Sequence, residues 1–277
     1  MRQSLLRGRE QLEIGAMAVE GEGSVAIGLS RGGAPKRYPH RDPNEDAALF
    51  AAGPGGVLLA VADAHDGEVA ATAALEQLLD RAAPRWTAAL PLSPDSWRDE
   101  VLAELVLSNG GVLEARRAGD TPDSCTTLTL AVVRPEQRLL LHASLGDSHL
   151  FQVGATGVVD HGARSSREAR HALGSYFLGW GAETRDSLVT KCRIGADLLG
   201  DARAVVLATD GISERNIGLA DPGAAVARCV REAAEEDPSL RPLRLTRRVV
   251  ESALEAQARN RAGDNVGVAV FWCGTAS

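Results

Sequence analysis

Five short acidic signatures are spread along most of the chain: Asn44-Glu45-Asp46, Val61-Ala62-Asp63-Ala64-His65, Gly146-Asp147-Ser148, Thr209-Asp210-Gly211 and Gly263-Asp264-Asn265. The last four adjoin apolar, strand-like runs at 56–62, 139–145, 204–208 and 266–272. A carboxylate at a strand end is ordinarily a solvated turn residue. Several of them gathered by a sheet make an oxygen cage for hard divalent cations, suited to metal-assisted chemistry on an anionic substrate. Taken singly, Asp210-Gly211 and Asp264-Asn265 are common turn dipeptides, and Gly146-Asp147-Ser148 reads as a hairpin turn between two strands. Asp63 stands apart, because it follows six apolar residues, 57–62. A carboxylate at that depth needs a partner, since desolvating a lone charge is costly. Asn44-Glu45-Asp46 follows Arg41 out of a loop, within reach of the same site.

The elements that must position these residues are legible in outline. Strands are predicted over 24–29, 47–51, 57–62, 125–133, 139–145, 149–153, 204–208 and 266–272. Helices are predicted over 68–82, 94–118, 222–234 and 243–258, and Ser93-Pro94 marks the start of the second with an N-cap and a first-turn proline. Leu5, Leu6, Leu12 and Ile14 suggest a short helix in an N-terminal extension, residues 1–22, ahead of a single domain over 23–277. Residues 154–200 are the least periodic, with His161, Ser165, Ser166 and a Leu173-Gly174-Ser175 turn, and read as a flap-like excursion from the sheet. Strands and helices come in blocks rather than strict alternation, which favours antiparallel sheets with helices layered outside.

Composition narrows the function further. The chain has 277 residues, 44% apolar and 24% charged, enough for a packed globular core. Net charge is −7, from 37 acids against 30 bases, the wrong balance for a nucleic-acid binder. Bound cations can still make such a protein hospitable to phosphate. Cys125, Cys192, Cys229 and Cys273 form no CxxC pair, so reduced thiols and a cytoplasmic location are expected. No stretch is apolar enough for a signal peptide or a membrane span, and a monomer is the default expectation.

Together and in this order, the signatures resemble the protein phosphatase 2C family of metal-dependent Ser/Thr phosphatases, from about residue 24 to residue 272. Arg41-Asp42-Pro43-Asn44-Glu45-Asp46 is similar to the family's Arg-x-x-Asn-Glu-Asp motif, and Asp63-Ala64-His65-Asp66-Gly67 to its Asp-Gly-His-Gly-Gly turn. Thr126-Thr127-Leu128 resembles Gly-Thr-Thr, and Gly146-Asp147-Ser148-His149 resembles Gly-Asp-Ser-Arg. Thr209-Asp210-Gly211-Ile212 and Asp264-Asn265-Val266 resemble Ser-Asp-Gly-Leu and Asp-Asn-Ile.

The resemblance implies an α+β fold, a four-layer α/β/β/α sandwich of two antiparallel sheets flanked by helices. It implies hydrolysis of phosphoserine and phosphothreonine on proteins by a water bridging two Mn²⁺ or Mg²⁺ ions, with a possible third ion. In that scheme Asp63 bridges both ions, and Asp210 and Asp264 hold the first. Glu45, Asp46 and the Ala64 carbonyl serve the second. Asp147, with Glu214 nearby, reaches toward the third. Arg41 clamps the substrate phosphate, with Arg31 and Arg37 as nearby competitors, and His65 protonates the leaving oxygen. Partners are phosphoproteins and a cognate Ser/Thr kinase. Three positions depart from the pattern: Ala64 and Asp66 replace glycines, and His149 replaces an arginine. Ala64 and Asp66 support the alternative of a non-catalytic pseudophosphatase that binds phosphoproteins. Arg41 speaks against the sporulation-type serine phosphatases, which lack that arginine.

Overall fold

The computed structural model describes residues 1–162 and 176–274. The predicted Ser165, Ser166 and 173–175 turn lie outside the described residues. The strands are β1 (Arg2–Arg7), β2 (Ala18–Glu22), β3 (Val25–Ser30), β4 (Asp46–Ala52), β5 (Val57–His65), β6 (Cys125–Thr126), β7 (Leu128–Arg134), β8 (Leu139–Leu145), β9 (His149–Val153), β10 (Val158–Asp160), β11 (Arg193–Leu198), β12 (Ala204–Ala208) and β13 (Val266–Trp272). Among the described residues the α-helices are α1 (Val69–Gln77), α2 (Pro94–Ala118), α3 (Arg185–Lys191), α4 (Pro222–Ala234) and α5 (Arg241–Asn260), with one further α-helical turn, Ala83–Trp86, between α1 and α2. One sheet runs β1-β4-β5-β7-β8-β11 with β6 paired to β5, and the other runs β10-β9-β12-β13-β3-β2. Every pairing is antiparallel.

Strand parity explains the long apolar runs. Along β5, Leu58, Ala60 and Ala62 pack outward with α1 and α2, while Val57, Leu59 and Val61 pack inward. Their inward partners include Ile27, Leu29, Leu150, Val205, Leu207 and Ala269 of the second sheet. On the far side Val206, Val268 and Val270 pack with α4 and α5. The central strands are therefore buried on both faces and alternate between two apolar environments rather than between core and water. The result is the four-layer α/β/β/α sandwich expected from the resemblance.

Local sequence sets the helix limits. The Ser93 hydroxyl accepts the Asp95 amide at 3.3 Å and caps α2. In α1, Ala70, Ala71 and Ala74 are buried, and their small side chains bring the helix close to the sheet. The helix then widens into a π turn, Leu78–Ala82, just before Pro84. Pro84 has no N–H to return to the preceding turn, and such an interruption loosens the regular ladder.

Four local expectations change. The helix expected around Leu5–Ile14 is reduced to one 3₁₀ turn, Gly8–Glu10: β1 pairs with β4 and β2 with β3, so residues 1–22 add one strand to each sheet. The run at 57–62 continues as strand through His65, because β6 gives Ala64 and His65 partners. Strands β8 and β9 are not a hairpin. They lie in different sheets, and Gly146-Asp147-Ser148 is the crossing between them. Residues 154–200 contribute β10, α3 and β11, and β11 pairs with β8 at the edge of the first sheet. Leu59 lies wholly within the inter-sheet layer. Leu59→Ala is predicted to lower unfolding free energy by about 2–5 kcal/mol, measured by urea denaturation, and a loss below 1 kcal/mol would contradict this packing.

Candidate metal centre

The same parity builds the site. Asp63 continues the inward series of Val57, Leu59 and Val61 on β5, and Asp46 continues that of Ala48 and Phe50 on β4. The two aspartates face each other in the β4–β5 register. Thr209 continues the inward face of Val205 and Leu207, and Asp210 follows it in a short 3₁₀ turn. The carboxylates thus cap one end of the apolar layer between the sheets, where its hydrophobic filling stops. Carboxylate oxygens of Asp63, Asp147 and Asp210 all lie within 4.8 Å of one another. These three come from β5, the β8–β9 crossing and the end of β12, elements far apart in sequence.

Neutral polar side chains lock this mouth in place. The Thr127 hydroxyl accepts the Asp63 amide at 3.2 Å, and the Thr126 hydroxyl donates to the Asp63 carbonyl at 3.1 Å. The Thr209 hydroxyl donates to Asp46 Oδ2 at 2.7 Å and accepts the Gly267 amide at 2.8 Å. Asn265 accepts the Glu45 amide at 2.8 Å and donates to the carbonyls of Arg31 and Pro43, each at 3.0 Å. Gly211 is required here, because an added Cβ would lie 1.8 Å from the Asn265 carbonyl oxygen. Gly146 bends the crossing with φ of 110°, a backbone that side chains disfavour.

Crowded carboxylates in a poorly solvated mouth resist ionisation. Burial raises the Asp46 pKa to about 7, with the Thr209 hydrogen bond opposing the shift and Asp264 adding to it. Asp63 is pushed well above the usual carboxylate range by burial and then by Asp210, Asp46, Asp264 and Asp147. Asp210 is pushed up by burial and then by Asp147, Asp264, Glu214 and Asp46. Burial also raises Asp264, against the pull of Lys36 and a hydrogen bond from the Tyr38 hydroxyl. The mouth is short of positive charge.

One cation and one phenol that motif reasoning passed over sit here. Lys36 Nζ lies 3.2 Å from Glu45 Oε2 and 3.8 Å from Asp264 Oδ1, with its side chain 4% exposed. Tyr38 donates to Asp264. Both come from the loop before Asn44-Glu45-Asp46, where the competitors weighed for phosphate binding were arginines. Glu45 is satisfied by protein groups: Oε1 accepts the Gly67 amide at 2.8 Å and the Arg41 and Asp42 amides at 3.3 Å. Glu45 thus folds the loop around itself, and in this structure it faces Lys36 rather than the aspartate cluster.

The rim holds the remaining expected residues. Arg41 is exposed and donates to the Asp120 carbonyl at 3.3 Å, and its Cδ would lie 3.4 Å from a Cβ built on Gly67. The structure therefore places its guanidinium at the edge of the mouth rather than among the carboxylates. His65 is exposed and packs edge-on against Phe177, ring centroids 4.9 Å apart. Phe177 in turn meets Trp180 at 5.4 Å, and Trp180 is 63% exposed. This aromatic row had no periodic signal. It is fixed by Leu178, which pairs with Thr126, and by Asn109, which bonds Gly179 and Gly181. Ala64 keeps a φ outside the left-handed region, and Asp66 takes that conformation instead, with φ of 59°. His149 finds new partners, Asp160 at 2.7 Å and the Ser213 hydroxyl at 2.6 Å.

Comparison with known proteins agrees with this geometry. A sequence profile for protein phosphatase 2C matches residues 35–247. Comparison with curated protein sequences gives no match. Among solved structures, the chain is similar to the catalytic domain of the serine threonine protein phosphatase PstP in complex with two manganese ions. That match has 19% identity, covers 93% of this chain and 99% of that one, and has a TM-score of 0.60. It is also similar to the PPM Ser-Thr phosphatase MsPP from Mycobacterium smegmatis in complex with cacodylate, at 26% identity, 94% and 99% coverage and a TM-score of 0.53. Stp1 from Staphylococcus aureus, a serine/threonine phosphatase, matches at 14% identity, 96% and 99% coverage and a TM-score of 0.62. With the profile spanning most of its length and the carboxylate mouth in place, the chain belongs to the protein phosphatase 2C family and is a metal-dependent protein phosphatase.

Proposed function

We propose that the chain removes phosphate from phosphoserine and phosphothreonine on proteins, using Mn²⁺ or Mg²⁺ held at the carboxylate mouth. The observation that carries this reading is the convergence of Asp63, Asp147 and Asp210. The residues fit such ions on two counts. Every side-chain donor is an oxygen, which favours Mg²⁺ or Mn²⁺ over softer ions. Burial and neighbouring carboxylates raise Asp63 and Asp210 above the usual carboxylate range, so a divalent cation relieves a deficit that Lys36 alone does not cover.

Asp63, Asp210 and Asp264 would hold one ion. Asp63, Asp46 and the Ala64 carbonyl would serve a second, with Glu45 reaching it after release from Lys36. Asp147 and Glu214 would serve a third. Such ions supply charge neutralisation of the phosphate dianion and activation of a water at neutral pH. The chain's own residues do the rest. Arg41 gives up one hydrogen bond, to the Asp120 carbonyl, and turns its planar fork to the phosphate oxygens. His65 donates a proton to the departing Ser or Thr oxygen, and Phe177 limits the directions its ring can take. The exposed ring of Trp180, packed on Phe177, would offer an apolar surface to the peptide that carries the phosphate.

The reaction that supplies this substrate is Ser/Thr phosphorylation, so a Ser/Thr kinase is the expected counterpart. All four cysteines are free, which suits a reducing compartment such as the cytoplasm. No described helix is long and apolar enough to cross a membrane. We take the working form to be a monomer. The non-catalytic alternative rested on Ala64 and Asp66, and neither removes a carboxylate from the mouth.

Three outcomes test this reading. Asp210→Asn should abolish Mn²⁺-dependent hydrolysis of p-nitrophenyl phosphate and of a phosphothreonine peptide, and metal-replete wild type that stays inert on both would sink the assignment. His65→Gln should slow the phosphopeptide about 10²–10⁴-fold and slow p-nitrophenyl phosphate much less, because nitrophenolate leaves without a proton. Equal losses on the two substrates would remove His65 from the acid role. The third outcome concerns pH. A carboxylate whose folded pKa is raised favours the protonated folded state, so its stabilising contribution is present near pH 4 and is lost as pH rises. For Asp46 that loss runs from about 4 up to about 7. In EDTA the thermal midpoint should therefore fall between pH 5 and 8, and saturating Mn²⁺ should cancel or reverse the fall. A midpoint in EDTA that rises across this range would contradict the electrostatics of the site.

A further inference from the structure

A second cluster of donors, chemically unlike the carboxylate mouth, sits where edge strand β11 of the first sheet meets β9 and β10 of the second. His142 lies on β8, one strand in from the edge, and on the inward face shared with Leu140. Its imidazole crosses over Gly195, its register partner on β11, and a Cβ there would come within 2.4 Å of His142 Nε2. The glycine clears a path to Asp197, whose Oδ2 is 2.9 Å from His142 Nε2. His161, just after β10, brings Nδ1 to 3.6 Å from the same oxygen. One ligand atom from each of these three residues lies within 4.8 Å of the others.

Hydrogen-bond bookkeeping exposes an unmet requirement. Gln152 Nε2 donates to the carbonyls of Leu198 and Leu199 at 2.9 and 3.1 Å, which fixes its amide orientation and leaves Oε1 as the acceptor. His161 Nε2 sits 3.0 Å from that Oε1 and must be the protonated nitrogen. In the neutral ring Nδ1 is then a bare lone pair, and it faces a carboxylate oxygen. Two acceptors facing each other are bridged by a proton or by a metal cation. An N–H donated away to an amide oxygen is also the support commonly given to a metal-ligating histidine, because it sets the tautomer and aims the free nitrogen. His142 reaches Asp197 through Nε2. Its Nδ1 is buried without a hydrogen-bond partner among the described residues.

We propose that His142, His161 and Asp197 form a second metal site, which takes zinc. Two imidazoles and one carboxylate are a zinc-type set with a fourth position open to water. Tetrahedral zinc with bonds of about 2.0–2.2 Å sets its ligands about 3.3–3.5 Å apart, between the 2.9 and 3.6 Å separations from Asp197. The two centres sort ions by donor chemistry: imidazole nitrogen selects zinc here, while the all-oxygen mouth suits Mg²⁺ or Mn²⁺. Zinc at this site ties β8 to β11 and, through His161 and Gln152, to β9. Strands β8 and β9 flank the crossing that carries Asp147.

The test uses the full chain and zinc alone. Wild type, His161→Ala/Asp197→Asn and Asp63→Asn are loaded with zinc, dialysed against a weak chelator and assayed for retained metal. The double variant changes residues near the surface and spares buried His142, and circular dichroism checks its fold. Wild type and Asp63→Asn should each retain one equivalent more than the double variant, which should keep Mn²⁺-dependent phosphatase activity. Gln152→Ala should weaken zinc binding about 10–100-fold. Co²⁺ substitution should give visible bands of nitrogen-ligated tetrahedral cobalt in wild type and not in the double variant. Equal zinc in wild type and the double variant, whether none or one, overturns the proposal. So does zinc lost with Asp63→Asn instead, which would place the ion in the catalytic mouth.

Discussion

Mutual repulsion among buried carboxylates is the constraint on which this molecule turns. Asp210, Asp46 and Asp264 each raise the pKa of at least one other member of the group, and all three act on Asp63. A fold that gathers them works against its own stability and tolerates the arrangement only because the surrounding sandwich is well packed. The opposition has a use. Groups that resist ionisation when alone are groups that divalent cations ionise and bind, so an electrostatic deficit is stored where a phosphate dianion must later be received. Lys36 makes partial amends, with its ammonium near both Glu45 and Asp264.

The sandwich serves this end through strand parity. A strand that alternates between two apolar layers has no polar face, and its character changes only where it emerges from the sandwich. β4, β5 and β12 emerge at the same end, and the inward position at each exit is Asp46, Asp63 or Thr209. The β8–β9 crossing delivers Asp147 to that end because its strands belong to different sheets. Threonine and asparagine side chains then satisfy the backbone around the carboxylates without adding charge. Asp46 accepts a hydrogen bond from the Thr209 hydroxyl, and Asp264 accepts from the Tyr38 hydroxyl and the Asn265 backbone N–H.

Much of this was readable in the sequence, and the limits have physical causes. Buried strands such as 204–208 and 266–272 announce themselves by continuous apolar residues, and α2 by its Ser-Pro start. The order of the acidic signatures pointed to the family and to the carboxylates that converge. What escaped was whatever depends on partners distant in sequence. Leu5, Leu6, Leu12 and Ile14 suggest a short helix, yet edge pairing with β4 and β3 makes strands of Arg2–Arg7 and Ala18–Glu22. Gly146-Asp147-Ser148 has hairpin chemistry, and nothing local tells a hairpin from a crossing between sheets. Lys36 and Tyr38 lie in a Gly- and Pro-rich loop without periodicity, so their approach to Asp264 becomes visible only once the chain is folded. The Phe177–Trp180 row and the His142–His161–Asp197 group are likewise products of topology.

The central claim is that Asp63, Asp210 and Asp264 jointly grip small divalent cations. Anomalous X-ray scattering from a Mn²⁺-soaked crystal tests it most directly. The account predicts manganese peaks between these carboxylates, with Lys36 drawn back from Glu45 and Asp264. Full Mn²⁺ soaking that leaves the mouth without an anomalous peak, or places manganese away from Asp63 and Asp210, would contradict it.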